Sequence, residues 1–194
     1  MLAHFAQNDN ITGMNKPYIL PYRGDYNPNG IMPTISSKAF IAPGAAVIGD
    51  VQIAEDVGFW FGCVARGDVN VIRIGARTNI QDGTIIHVTR DTAATHIGSN
   101  VTIGHCALIH GATLEDSCFI GMRATLMDGA VVETGGWVAA GALVTPGKVV
   151  RKGQIWAGSP AKYFRDLTDA EKAFIPVSAE NYVKHAREYL ALSL

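Results

Sequence analysis

Starting at Leu114 and moving six residues at a time, the chain places an aliphatic side chain at every stop: Ile120, Leu126, Val132, Val138, Val144 and Val150. Four residues after most of those stops comes something small, namely Cys118, Ala124, Ala130, Gly136 and Ala142. The same step runs upstream through Ile97, Ile103 and Ile109, through Ile74, Ile80 and Ile86, and through Ile41, Val47, Ile53 and Phe59. The phase slips between these blocks, once by a single residue between Ile109 and Leu114, as small loops or bulges cause. A period of six is neither the 3.6 of a helix nor the plain alternation of a strand. It predicts a short strand followed by a corner, over and over, with the aliphatic residue pointing inward and the small one packed near the bend. Glycines such as Gly135 and Gly136, among 21 in the chain, supply tight corners.

Three such faces make one triangular coil of about eighteen residues, and coils stack at a strand spacing of about 4.8 Å, each relying on its neighbours for burial. Residues 33–158 give room for about seven coils. The hexad pattern resembles the left-handed parallel β-helix of the hexapeptide-repeat superfamily, an all-β solenoid; the handedness comes with that resemblance. Residues 1–32 form an N-terminal segment with little readable pattern. Residues 159–194 form a helical segment that packs on the β-helix. Thr168 and Glu171 make a capping box that starts a short helix, and Pro176 ends it. Ser178 then caps a second helix, whose apolar stripe of Tyr182, Ala186, Tyr189 and Leu190 lies along a coil face.

Composition narrows the partners. A net charge of −1 and a pI near 6.6 give no footprint for nucleic acid or an anionic membrane surface. Charged residues at 17% against 48% hydrophobic argue for a large buried surface rather than disorder. No run of about eighteen apolar residues spans a membrane. The first residues lack the basic and apolar regions of a signal peptide. Cys63, Cys106 and Cys118 are odd in number and suit a reducing cytoplasm, so a cytoplasmic location is expected. Cys63 and Cys118 fall at the small inward position and read as core; Cys106 does not.

Histidines have no structural task in such a repeat. His87 follows Ile86 and His110 follows Ile109, the same place in the hexad, while His105 is two after Ile103. A single histidine there reads as a solvated surface residue, and His96 reads as a loop residue. Three together fit a metal site, because neutral imidazoles are the commonest zinc ligands and three of them leave one position open. His105 and His110 are five residues apart on nearly extended chain, up to about 16 Å between Cα atoms. Ligand nitrogens must all reach within about 2.1 Å of a zinc ion. One chain does not readily close that triangle, whereas two chains side by side can.

The stretch "ARGDVNVIRIGARTNIQDGTIIHV" followed by "VTIGHCALIHG" resembles the γ-class carbonic anhydrases, on Arg66-Gly67-Asp68, Asn79-Ile80-Gln81-Asp82, His87 and the pair His105 and His110. Met14 is a second candidate start, since "MNKPYILPYRG" begins like a member of that family. The resemblance implies a homotrimer with three metal sites, each between two subunits, His87 and His110 from one chain and His105 from its neighbour. It also implies reversible hydration of carbon dioxide to bicarbonate by a metal-bound hydroxide, and the three imidazoles make zinc the expected metal, with iron(II) or cobalt as the other ions they accept. Around that site Arg66 bridges an acidic residue, Asp68 or Asp82 across the interface. Gln81, six residues before His87, orients the nucleophile.

One departure matters. The best-studied members carry protons to solvent through glutamates, one directly after the RGD aspartate and another in an acidic loop. Here Val69 follows Asp68. His87 and His105 are eighteen residues apart, one coil, with Asp91 as the single acid between them. A metal-binding trimeric scaffold or assembly subunit with little hydratase activity is therefore the alternative. Asn181 or Tyr182 from the C-terminal segment can approach the site. Coenzyme A-dependent acyl transfer, common among hexapeptide β-helices, needs one general base rather than three clustered imidazoles.

Overall fold

A computed structural model describes residues 16–192; Met14 and the signal-peptide reading lie outside them. Short parallel strands stack into a solenoid of about seven turns with one C-terminal helix. The first face stacks Tyr18–Leu20, the start of Ala46–Ile53, the start of Val64–Ile74, Ile85–His87, Leu108–His110, Thr125–Leu126 and Leu143–Val144. The second face runs from Thr34–Ile35 to Val149–Val150, and the third from Phe40–Ile41 to Gln154–Ala157. Stacking begins at Tyr18, and the antiparallel hairpin of Tyr22–Gly24 with Asn27–Ile31 interrupts that first coil. After the last coil Lys162–Asp166 folds back antiparallel on Gln154–Ala157.

The hexad stops form the core. Val47, Phe59, Ile80, Ile86, Ile103, Ile109, Ile120, Leu126 and Val132 are all fully buried, and Cys63 and Cys118 are buried with them. Burial pushes both thiols up to about 12, so neither is a nucleophile. Each buried aliphatic side chain contributes about 1.5–3 kcal/mol relative to exposure. Not every corner is a glycine: Asp56, Arg77, Asn100, Cys106, Ser117 and Arg123 also turn with positive φ.

All the phase slips fall at one corner, between the first and second faces. Val64 and Ile85 are register partners twenty-one residues apart, Ile85 and Leu108 twenty-three, Leu108 and Thr125 seventeen, and Thr125 and Leu143 eighteen. The extra residues lie around Gly67–Val71 and Val88–Ala94, and the missing one beside Gly111. The N-terminal hairpin occupies the same corner. Because the first and third faces keep their registers, the core is undisturbed while this edge is remodelled.

The C-terminal segment differs from the two-helix expectation. A single helix spans Asp169–Ala191 with Pro176 inside it, started by the Thr168–Glu171 capping box as predicted. Proline removes one backbone hydrogen bond, at a cost of about 3 kcal/mol. Docking of Ile175, Ala179, Val183 and Ala186, all buried, outweighs it. Ser178 is no cap; it is buried, its hydroxyl 3.1 Å from that of Thr102 on the third face. Among the described residues no helix is long and apolar enough to cross a membrane.

Candidate metal centre

His87 ends the strand Ile85–His87 and His110 ends Leu108–His110, where they are direct register partners on adjacent coils. This places both side chains on the outer edge of the first face, beside the remodelled corner. His87 Nδ1 lies 3.1 Å from His110 Nε2. The outer nitrogens are each held by a carboxylate: His87 Nε2 is 3.0 Å from Asp68 Oδ1, and His110 Nδ1 is 2.6 Å from Asp128 Oδ1. Arg66 pairs with the other oxygen of Asp68.

Proton accounting makes this pair informative. An ionised carboxylate only accepts, so His87 Nε2 and His110 Nδ1 must carry the ring protons. Asp68 is held below the ordinary carboxylate range by hydrogen bonds from His87 and Arg66, which outweigh a burial penalty larger than either alone. Asp128 is lowered first by the Thr89 hydroxyl and, against burial, by His110. Burial also pushes the His87 imidazole down, against the pull of Asp68, favouring its neutral form. In neutral rings the two remaining nitrogens then present lone pairs to each other at 3.1 Å. A proton or a metal ion held between the two nitrogens relieves that contact. Two nitrogens at about 2.1 Å from a tetrahedral ion stand about 3.4 Å apart, so the pair fits a divalent metal with a small adjustment.

His105 lies elsewhere. It follows Thr102–Ile103 at the corner between the third and first faces, across the Leu108–His110 strand from His110. Its Nδ1 is 2.9 Å from Asp82 Oδ2, one coil below, which leaves Nε2 free. Among the described residues no three metal-ligating side chains converge. The eighteen-residue spacing from His87 does not stack His105 on it, because the coil between them is twenty-three residues long.

Gln81 also belongs to the His105 edge. A step of six moves one face around the coil, so Gln81 and His87 occupy equivalent corners and are not neighbours. Gln81 is buried, and its amide nitrogen donates to Asn79 Oδ1 at 3.0 Å. With His105 it lines a cavity of about 510 Å³ whose other walls include Phe119, Trp137, Phe174 and Tyr182. Tyr182 thus reaches this edge from the helix, its hydroxyl pKa raised by burial and then by Asp82, whereas Asn181 is exposed. Within one chain Arg66 meets Asp68, while Asp82 is engaged by His105. His96 is a strand residue with an exposed side chain, not a loop residue, because the corner insertion ends before Thr95. Asp128 and Thr89 escaped the sequence reading. An aspartate before a glycine reads as an ordinary corner, and only the stacking register links it to His110.

One chain therefore carries two incomplete edges flanking the first face. On that face Tyr18, Leu20 and Ile85 are exposed, and Val64 and Leu108 stand half-buried in the same rows.

No protein-family model matches the chain. Gamma carbonic anhydrase 1, mitochondrial, of Arabidopsis thaliana is 51% identical over 164 residues, 82% of this chain and 60% of that protein. This chain thus spans about three fifths of that relative's length. Protein YrdA of Escherichia coli (strain K12) is 44% identical over 88% of this chain and 92% of that one. The crystal structure of a hexapeptide transferase family protein from Anaplasma phagocytophilum superposes with a TM-score of 0.83 at 44% identity, covering 89% of this chain and 98% of that one. The chain belongs to the hexapeptide-repeat family, as a γ-class carbonic anhydrase-like member.

Proposed function

We propose that this protein is a trimeric metalloprotein that reversibly hydrates carbon dioxide to bicarbonate, with His87 and His110 of one subunit and His105 of its neighbour as ligands. The observation that carries the reading is the pair of ring nitrogens on His87 and His110 that face each other at 3.1 Å, with each outer nitrogen on a carboxylate. The plant relative's name supports the reaction.

The two edges argue for how subunits meet. An apolar first face with half a site on each border suits a heterologous contact, in which one border of each subunit meets the opposite border of the next. Closing that contact as a three-fold ring gives every site two histidines from one chain and one from another. Zinc is the natural occupant of three imidazoles, with iron(II) and cobalt as competitors. Bound there, such an ion would supply Lewis acidity, lowering the pKa of water so that a nucleophile is available near neutral pH.

The chain's own groups do the rest. Asp68, Asp82 and Asp128 fix the tautomers of His87, His105 and His110. Arg66 holds Asp68 in place. Gln81 keeps its nitrogen on Asn79, which leaves its carbonyl oxygen to orient a hydrogen-bond donor at the His105 edge. The apolar cavity beside His105 and Gln81 suits an uncharged, apolar substrate.

A second reading, a metal-binding scaffold with little turnover, is favoured by Val69. It is partly buried against the core, where a proton-carrying side chain would be needed. Stopped-flow carbon dioxide hydration on protein loaded with zinc or iron(II) separates the two. A hydratase loses its rate, and its metal, in His87→Ala, His105→Ala and His110→Ala. A loaded wild type no faster than these variants would leave the scaffold.

A further inference from the structure

We propose that Asp128 is a positioning residue for the metal centre: it selects the His110 tautomer that presents Nε2 beside His87, and the irregular corner of the solenoid is built to bring it there. The inference rests on the metal reading above.

Asp128 sits one coil beyond His110, just after the first-face strand Thr125–Leu126. Both of its oxygens are committed. Oδ1 accepts from His110 Nδ1 at 2.6 Å, and Oδ2 accepts from the Thr89 hydroxyl at 2.5 Å. Thr89 belongs to the long Val88–Ala94 corner two coils before Asp128, on the coil that precedes His110's. That corner is itself tied down, since Thr89 N donates to Ala93 O at 2.9 Å and Asn70 Nδ2 donates to Thr89 O at 3.0 Å. Corner residues of three coils, Asn70, Thr89 and Asp128, thus form a hydrogen-bonded relay that ends on one imidazole.

Gly111 completes the device. It follows His110 where the coil is one residue short, and it adopts φ +56°. A Cβ built on it would stand 2.6 Å from Asp128 Oδ1 and 2.7 Å from the Ala93 Cβ. The glycine is therefore the window through which the carboxylate reaches the ring. A carboxylate on the far nitrogen fixes ring orientation and raises the basicity of the ligating nitrogen, and losing such a partner typically costs 10–100-fold in metal affinity.

The test is a titration of metal-free full-length protein with cobalt(II) alone, read as affinity and as the visible ligand-field spectrum. Asp128→Ala is expected to weaken cobalt binding about 10–100-fold and to shift the spectrum. Gly111→Ala is expected to do the same without touching a ligand. Asp128→Asn, whose amide oxygen still accepts from Nδ1, is expected to lose less and to keep a spectrum closer to wild type. Wild-type affinity and spectrum in Asp128→Ala, while His110→Ala fails to bind, would overturn the positioning role and leave the metal site standing. Should Asp128→Ala not assemble, Asp128→Asn decides: a measurable loss supports the role and wild-type behaviour overturns it. Unchanged cobalt binding in His110→Ala would overturn the site and the inference together.

Discussion

His87 and His110 are register partners on successive coils, and the nitrogens they turn towards each other, 3.1 Å apart, are the two that face no aspartate. With each ring's single proton given to its carboxylate, the two nitrogens face lone pair to lone pair, a contact that a proton or a metal ion between them relieves.

Complementation between chains follows from the separation of the two edges. His87→Ala and His105→Ala each destroy one border of the first face and leave the other intact. Mixed trimers formed by dissociating and reassociating the two variants should regain about one metal for every interface that pairs the intact borders. Elemental analysis of the re-formed trimers checks this. No regain would mean that His105 is not the neighbour's contribution.

The apolar first face should be what holds the subunits together. Placing a charge at its centre, Leu108→Asp, buries an unpaired carboxylate in the contact, a cost of several kcal/mol. Light scattering should show a monomer that still has native circular dichroism, and metal should be lost with the assembly. A trimeric Leu108→Asp protein would move the interface to another face.

Turnover should be limited by proton export. Val69 is packed against the core, and Asp91, the acid in the long corner, is exposed on the turn. Small imidazole buffers should raise the hydration rate at neutral pH, and Val69→Glu should reduce that dependence. Gln81→Ala should slow the reaction at every buffer concentration because it acts on the attack itself. A wild-type rate indifferent to buffer would point to Tyr182 as a carrier already in place.

Acid should loosen the helix anchor in a narrow window. The Arg165 guanidinium, then the Thr168 amide, hold the Glu171 carboxyl down at about 2, below its ordinary 4.5. With the folded value depressed, the unfolded chain takes the proton first. The anchor's contribution is complete above about 4.5 and is lost as pH falls through about 2. Tm followed from pH 6 to pH 2 should fall more steeply for wild type than for Glu171→Gln, roughly over that window. Parallel curves would show that the capping box carries no linkage.

The solenoid was legible because its core obeys one rule: each sixth residue is aliphatic, and the structure buries nearly every one. What the rule hides is the corner. Counting in sixes makes Gln81 and His87 look like neighbours and makes His87 and His105 look one coil apart. The coil they belong to is five residues longer than the repeat, and only the register shows that His87 stacks on His110 instead. Asp128 was invisible for the same reason, since its partner lies eighteen residues back across a coil that is itself one residue short. The single helix was missed because Pro176 reads locally as a stop, whereas the third face supplies an apolar track that carries the helix through it.

That helix has a mechanical meaning. A stack of coils resembles a zipper, free to open from either end because each rung is held only by the rungs beside it. Here one rod is laid lengthwise down the stack. It begins where Ile175 meets Ile155 and Leu167 near the last rungs, and it ends where Tyr189 packs 5.3 Å from Phe40 and Arg187 grips Asp56 near the first. Fraying at either end must pull the rod away from its track, so the ends share each other's stability. A linear lattice is thereby fastened into a unit that opens as a whole.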